Sequence, residues 1–401
     1  MRRLWGMYEL LKADGLDLDM TRGKPCDEQL MLSEPMLSMT DTHIDGLDCR
    51  NYGSLGGLPE MRELAARYLQ TSPQNTLVLG NSSLWLMYSV LAEHILEGSI
   101  KKGDKFLCPS PGYDRHHETC VGLGIDMIRV PLKADGPDMT VVRELIKDPK
   151  VVGMWCMPKF SNPTGTVYSQ EVAREIATMK PANKGFIVMW DNAYAVHDLG
   201  NRPLAVPNIS KLAQEAKTAN RFWIFGSFSK VTFASAGLAM LGTSPRNFQW
   251  YMKRLSIQTI GPDKLSQLRH LQFLKNMTGV RTLMRKHSRI IAPKFQAVHD
   301  VLEKHIGGKG VAVWNRPEGG YFISFDMISG SAKRTIALAG KAGLKLTPAG
   351  SAFPYGNDPD DRHIRIAPTF PPLADVKKAA QVLAVCAELA HRELHPQTMR
   401  R

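Results

Sequence analysis

Between about Leu77 and Gly242, short apolar runs alternate with longer segments whose apolar residues recur at helical spacing. This alternation restricts the possible folds more than any other feature of the chain. Lys105–Cys108, Met127–Pro131, Val151–Met157, Phe186–Trp190, Phe222–Phe225 and Leu238–Leu241 read as strands. They are continuously apolar and bounded by Gly, Pro, Asn or Asp, as strands buried on both faces are. Ser82–Leu96 and Ser169–Met179 read as helices, the second with Ser169 as its N-cap. Strand–helix alternation predicts an α/β domain with a mainly parallel sheet, whose ligands sit beyond the carboxyl ends of the strands.

After about Thr282 the pattern changes. A basic helical stretch from Arg285 to His305 leads into Gly307-Gly308-Lys309-Gly310. Strand-like runs follow at Val311–Trp314 and Tyr321–Phe325, then another helix, then a strand near His363–Ile366. This predicts a second, smaller α+β unit. The first 45 residues hold little core of their own and are expected to pack on it. The expected division is a large domain over 46–285 and a small one combining 1–45 with 286–401.

The chain carries 51 Lys+Arg against 38 Asp+Glu, a net charge of +13. Such an excess invites a nucleic-acid or acidic-ligand reading. No basic run exceeds a few residues, however, so a solvated basic surface is the plainer account. The six cysteines are scattered and none forms a C-x-x-C pair, which argues against a zinc ribbon or a redox dithiol. They read as reduced thiols. Residues 1–20 are interrupted by Glu9, Lys12, Asp14, Asp17 and Asp19 and contain no apolar leader. No uncharged stretch is long enough to span a membrane. A soluble cytoplasmic protein is expected.

Three short motifs carry chemistry, each after a strand. Phe225-Gly226-Ser227-Phe228-Ser229-Lys230 puts a lysine among small hydroxyl residues at a strand end. A lysine whose pKa is lowered is a good nucleophile for Schiff-base chemistry, though a surface lysine after a turn has the same local pattern. Asp191-Asn192-Ala193-Tyr194 puts a carboxylate where it could pair with a protonated ring nitrogen, or simply cap a helix. Ser161-Asn162-Pro163-Thr164-Gly165 offers an amide donor in a segment that turn chemistry alone would explain. Together, in the order Asn162, Asp191, Lys230, they are far more specific than any one alone.

With Thr21-Arg22-Gly23-Lys24-Pro25, Asn51-Tyr52-Gly53 and Thr347-Pro348-Ala349-Gly350, these motifs resemble the class I aminotransferases of fold type I. These enzymes use pyridoxal phosphate, and the chain is most similar to their bacterial aspartate-aminotransferase-like branch, over about residues 20–390. The resemblance implies a large domain with a mainly parallel, seven-stranded-type sheet plus a smaller α+β domain, assembled as a homodimer with shared active sites. It implies transfer of an amino group from an L-amino acid, aspartate- or glutamate-like, to a 2-oxo acid. Lys230 would form the aldimine with the cofactor and shuttle the substrate proton. Asp191 would pair with the pyridinium nitrogen, and Asn162 and Tyr194 would bond the cofactor's 3′-oxygen. Tyr113, in Pro111-Gly112-Tyr113-Asp114, would stack on the ring. Asn81 and Ser82 at a helix start, with Ser227 and Ser229, would hold the phosphate, joined by Tyr52 from the partner subunit. Arg365 would clamp the substrate carboxylate, with Gly23 and Asn162 beside it. Cis peptide bonds are implied at Ser110–Pro111 and Asn162–Pro163.

The chain departs from the family pattern in one place. Where many members carry a phosphate-binding Arg eight residues after the lysine, this sequence has Leu238. Arg22, Lys24 and Lys159 are candidate contacts for an acidic side chain, and each also reads as a surface charge. Other readings are weaker. Ser227-x-x-Lys230 matches an acyl-enzyme motif, but S-D-N and K-T-G are missing. Residues 21–25 already match the enzyme, which leaves no room for a DNA-binding module before them. His391 and His395 lack the H-E-x-x-H order of a metal site. The same cofactor and fold also support elimination, replacement, cyclisation and oxidation, so fold alone does not fix the reaction.

Overall fold

In the computed structural model, residues 1–328 and 330–394 are described. The main sheet contains β1 (Thr76–Val78), β2 (Lys105–Ser110), β3 (Asp126–Lys133), β4 (Gly136–Pro137), β5 (Val151–Cys156), β6 (Ile187–Asp191), β7 (Phe222–Ser227) and β8 (Ala239–Gly242). Their spatial order is β1-β8-β7-β6-β5-β2-β3-β4. The run β7-β6-β5-β2-β3 is parallel throughout. Only β8 and β4 run against their neighbours. The sheet therefore has eight strands where seven were expected. The eighth, β4, is a two-residue return at the edge, too short to register as an apolar run.

Every residue of β5, β6 and β7 is buried, which is why these segments are apolar without alternation. Helices cover both faces. The helix Ser83–Leu96 is capped by the Ser82 hydroxyl, which accepts from the Trp85 N–H, and Gln170–Thr178 is capped by Ser169. The parallel strands all point their carboxyl ends to one side, and Ser110, Cys156, Asp191 and Ser227 end β2, β5, β6 and β7 there.

A second, antiparallel sheet contains β9 (Ala312–Trp314), β10 (Ile323–Met327) and β11 (His363–Ile366). The strand expected at Tyr321–Phe325 begins two residues later, after a separate antiparallel bridge in which Gly319 faces Asp198 and Gly320 gives its N–H to the His197 carbonyl. The helix Met277–Ile306 begins well before Arg285, with the Asn276 side chain accepting from the N–H groups of Thr278 and Gly279. Tyr8, Leu11, Leu18 and Met20 join the second unit's apolar cluster, and Leu18–Asp19 pairs in parallel with Leu344–Lys345. Leu32, Ile44 and Leu47 pack instead against the main-sheet cluster. Both X-Pro bonds named above are cis. Among the described residues, no helix is long and apolar enough to cross a membrane. His395 lies outside the described residues.

Candidate active site

Four adjacent strand ends deliver the motif residues to one place. A cavity of about 260 Å³ is lined by Asn81, Ser82, Tyr113, Asn162, Asp191, Tyr194, Ser227, Ser229 and Lys230, among others. A second, of about 590 Å³, shares Tyr113, Asn162, Tyr194 and Lys230 and adds Thr21, Arg22, Gly23, Lys24, Asp114, Arg115 and Arg365. Lys230 thus stands between two compartments, one ending in hydroxyls and a helix start, the other in arginines.

The first compartment is built by hydrogen bonds between loops. Ser229 donates its hydroxyl to the Asn81 carbonyl at 2.6 Å and its N–H to Ser227 Oγ at 3.0 Å. Asn81 donates to the Ser235 carbonyl at 2.6 Å. Gly80 turns the chain into the helix at a φ of +55°, where a side chain would be strained. The result is a set of hydroxyls beside the first N–H groups of Ser83–Leu96, a ready anion site.

At the opposite end Asp191 is 1% exposed. Its Oδ2 faces His116 Nε2 at 3.0 Å and its Oδ1 accepts from the Ala193 N–H at 3.1 Å. The His116 ring is stacked on Trp155 with centroids 4.1 Å apart. Lys230 Nζ lies 5.3 Å from the Tyr194 ring centre and 5.9 Å from that of Tyr321. Burial pushes the lysine pKa down, the Asp191 carboxylate works against this, and Arg365 adds to it. Burial likewise drives Tyr113 and Tyr194 up, so both stay neutral phenols. Beneath the lysine, Gln29 donates to Tyr321 Oη at 3.0 Å and meets His287 Nδ1 at 2.8 Å.

In the second compartment Arg365, on β11, is 7% exposed. Its guanidinium meets Asp114, Asn162, Thr347 and the Thr21 carbonyl. Gly23 packs so closely that a Cβ would come within 2.6 Å of Phe322 and 3.0 Å of Tyr321.

Other singled-out residues lie elsewhere. Tyr52 is 79% exposed and lines neither cavity. Lys159 is buried against Asp198 at 2.9 Å, in a separate cleft with Arg67, Arg281 and Arg285. It is no substrate contact within this chain, because its ammonium is spent on Asp198 and the Ala195 carbonyl. Leu238 is buried in the main core, and among the described residues Lys230 is the one Lys or Arg lining the first cavity. Sequence reasoning missed His116, Asp114, Tyr321 and Gln29. The signal for the first two was available: a buried Asp191 and a buried Arg365 both need partners, and Asp114 and His116 stand one and three residues after Tyr113.

The sequence model of the family described as aspartate amino-transferase matches residues 1–398. The chain belongs to that family. Aminotransferases of this family use pyridoxal phosphate, and the first compartment fits that group, with a hydroxyl-lined helix start at one end and a buried carboxylate at the other. This aminotransferase is 46% identical over 401 residues to a candidate aminotransferase of Mycolicibacterium smegmatis, covering 96% of this chain and 94% of that one. It is 41% identical over 398 residues to an aspartate aminotransferase of Corynebacterium glutamicum, covering 96% and 92%. A crystal structure of an aspartate transaminase from Corynebacterium glutamicum superposes with a TM-score of 0.94 at 40% identity, covering 98% of this aminotransferase and 95% of that chain.

Proposed function

We propose that this aminotransferase moves the amino group of an acidic L-amino acid, aspartate or glutamate, to a 2-oxo acid, with pyridoxal phosphate held in the first compartment. One observation carries the reading: a lysine with a lowered pKa stands between a phosphate-type anion site and an arginine clamp. When bound, the cofactor supplies an electron sink for the substrate's Cα–H bond. Lys230 attaches the cofactor and moves the proton at Cα. Its lowered pKa leaves the amine more often neutral and able to accept that proton. Asp191, fixed by His116, holds a proton on the ring nitrogen. Asn162 and Tyr194 donate to the 3′-oxygen, and Tyr113 covers the ring. Asn81, Ser82, Ser227 and Ser229 hold the phosphate.

Arg365 binds the α-carboxylate, with Asn162 and the close backbone of Gly23 beside it. Arg22, Lys24 and Arg115 line the same compartment, Arg115 paired with Glu118, and the excess of cations suits a second carboxylate. Tyr52 is exposed, as are Trp85, Tyr88, Ile257 and Ile260. These side chains suit a homodimer interface through which Tyr52 reaches the partner's phosphate site. The division into 46–285 and 1–45 plus 286–401 follows the same family architecture, and the six buried, unpaired cysteines suit the cytoplasm.

The test is a single turnover of the holoenzyme without acceptor. Aspartate or glutamate should each release one oxo acid per site, with no ammonia, and borohydride should fix the cofactor on Lys230. Release of pyruvate with ammonia, or a Lys230→Ala variant with full activity, would sink the proposal.

A further inference from the structure

Arg365 does not stand open in the substrate compartment. Its Nη1 donates to Asp114 Oδ1 at 3.0 Å and its Nη2 to Asp114 Oδ2 at 3.4 Å. A carboxylate therefore already lies across the fork of the guanidinium, in the two-point geometry by which arginine recognises carboxylates. The remaining edge is closed. Nε is buried without a partner, and Nη2 is also engaged by Thr347 Oγ1 at 3.2 Å and the Thr21 carbonyl at 3.3 Å. An incoming carboxylate cannot reach Nε, so it has to meet the edge that Asp114 holds.

We propose that Asp114 is an internal competitor for Arg365, whose two hydrogen bonds the substrate's α-carboxylate must take over. This rests on reading Arg365 as the carboxylate clamp. The two partners differ in freedom. Arg365 lies within a strand and its side chain is 7% exposed, so it stays in place. Asp114 is the first residue of the helix Asp114–Leu123 and its side chain is 20% exposed. It can swing toward solvent, where the helix N-terminus still favours its charge.

The consequence is for specificity. Exchanging one carboxylate for another on Arg365 is nearly neutral, so the α-carboxylate common to all amino acids adds little net affinity. Discrimination passes to the rest of the substrate, and a second carboxylate near Arg22 or Arg115 gains weight. Asp114 is in this sense a specificity-determining residue that acts through Arg365.

Binding of acetate and of succinate, which cannot react, is to be measured on the holoenzyme from the shift in cofactor absorbance. In Asp114→Asn and Asp114→Ser both ligands should bind about tenfold tighter than in the wild type. A merely structural Asp114 would give the opposite sign. Unchanged or weaker binding in both variants, while Arg365→Lys still loses succinate, overturns the competitor role alone. Wild-type succinate affinity in Arg365→Lys overturns the clamp reading and the competitor role with it.

Discussion

Replacing His116 by phenylalanine isolates how far the site depends on a fixed Asp191. An ionised carboxylate only accepts, so the proton between the two groups sits on His116 Nε2. The imidazole cannot turn away, because it lies flat on Trp155 with the planes 6° apart. Phenylalanine keeps that stack and most of the volume and removes the N–H. A hydrogen bond to a charged group contributes about 1.5–3 kcal/mol, and the buried carboxylate would be left with the Ala193 N–H alone. The apoprotein should therefore lose about 2–3 kcal/mol. The released carboxylate can rotate, which weakens its hold on the ring nitrogen. The cofactor's dissociation constant should rise by about tenfold or more. Denaturant unfolding of the apoprotein and equilibrium dialysis of the cofactor read the two effects separately. A His116→Phe variant with the wild-type midpoint and wild-type cofactor affinity would refute the claim that this pair fixes the carboxylate.

Two further outcomes follow from buried charge. His117, His270 and His287 are each held down to about 4 by burial. An unfolded histidine titrates near 6.5, so between about pH 6.5 and pH 4 the unfolded chain binds more protons than the folded one. Stability should then fall as the pH drops through that window, by about 1.4 kcal/mol per pH unit for each histidine, and a flat unfolding midpoint there would contradict the burial argument. Lys159→Met leaves Asp198, 11% exposed and still held by the Leu204 N–H, without its cation and should cost about 2–3 kcal/mol. Adding Asp198→Asn should restore much of this in the same melting assay, and a harmless single substitution would show that the pair does not matter to the fold.

What was legible in the sequence was what local pattern determines. The six strands expected of the main sheet are all present, because burial on both faces leaves an unbroken apolar run. Lys230, Asp191 and Asn162 were legible because strand ends converge in parallel sheets. Hydrogen bonds between distant residues were not legible. His116 and Asp191 are 75 positions apart, and Arg365 and Asp114 are 251 apart. That Asp114 and His116 stand just after Tyr113 brings them near the site, but nothing local to either member says which distant residue it will meet. The fate of Lys159 was hidden for the same reason, since its burial depends on Asp198 and on the loop carrying Ala195. Tyr52 presents the converse case: its motif was readable, but within one chain it points to no cavity.

The packing of the helix Arg2–Ala13 on residues far along the chain has a consequence for synthesis. The hydroxyl of Tyr8 donates to the carbonyl of Leu338, 330 positions later. Strands β1 to β8 all lie between Thr76 and Gly242 and can pair as they leave the ribosome. The helix Arg2–Ala13 emerges before them, yet the residues it packs against are made after them, the helix Leu373–Leu394 among them. The helix Arg2–Ala13 is thus made before the main sheet yet completes its packing after it, and a nascent chain stalled before Leu373 would carry its main sheet with the Tyr8 and Leu11 face of that helix still uncovered.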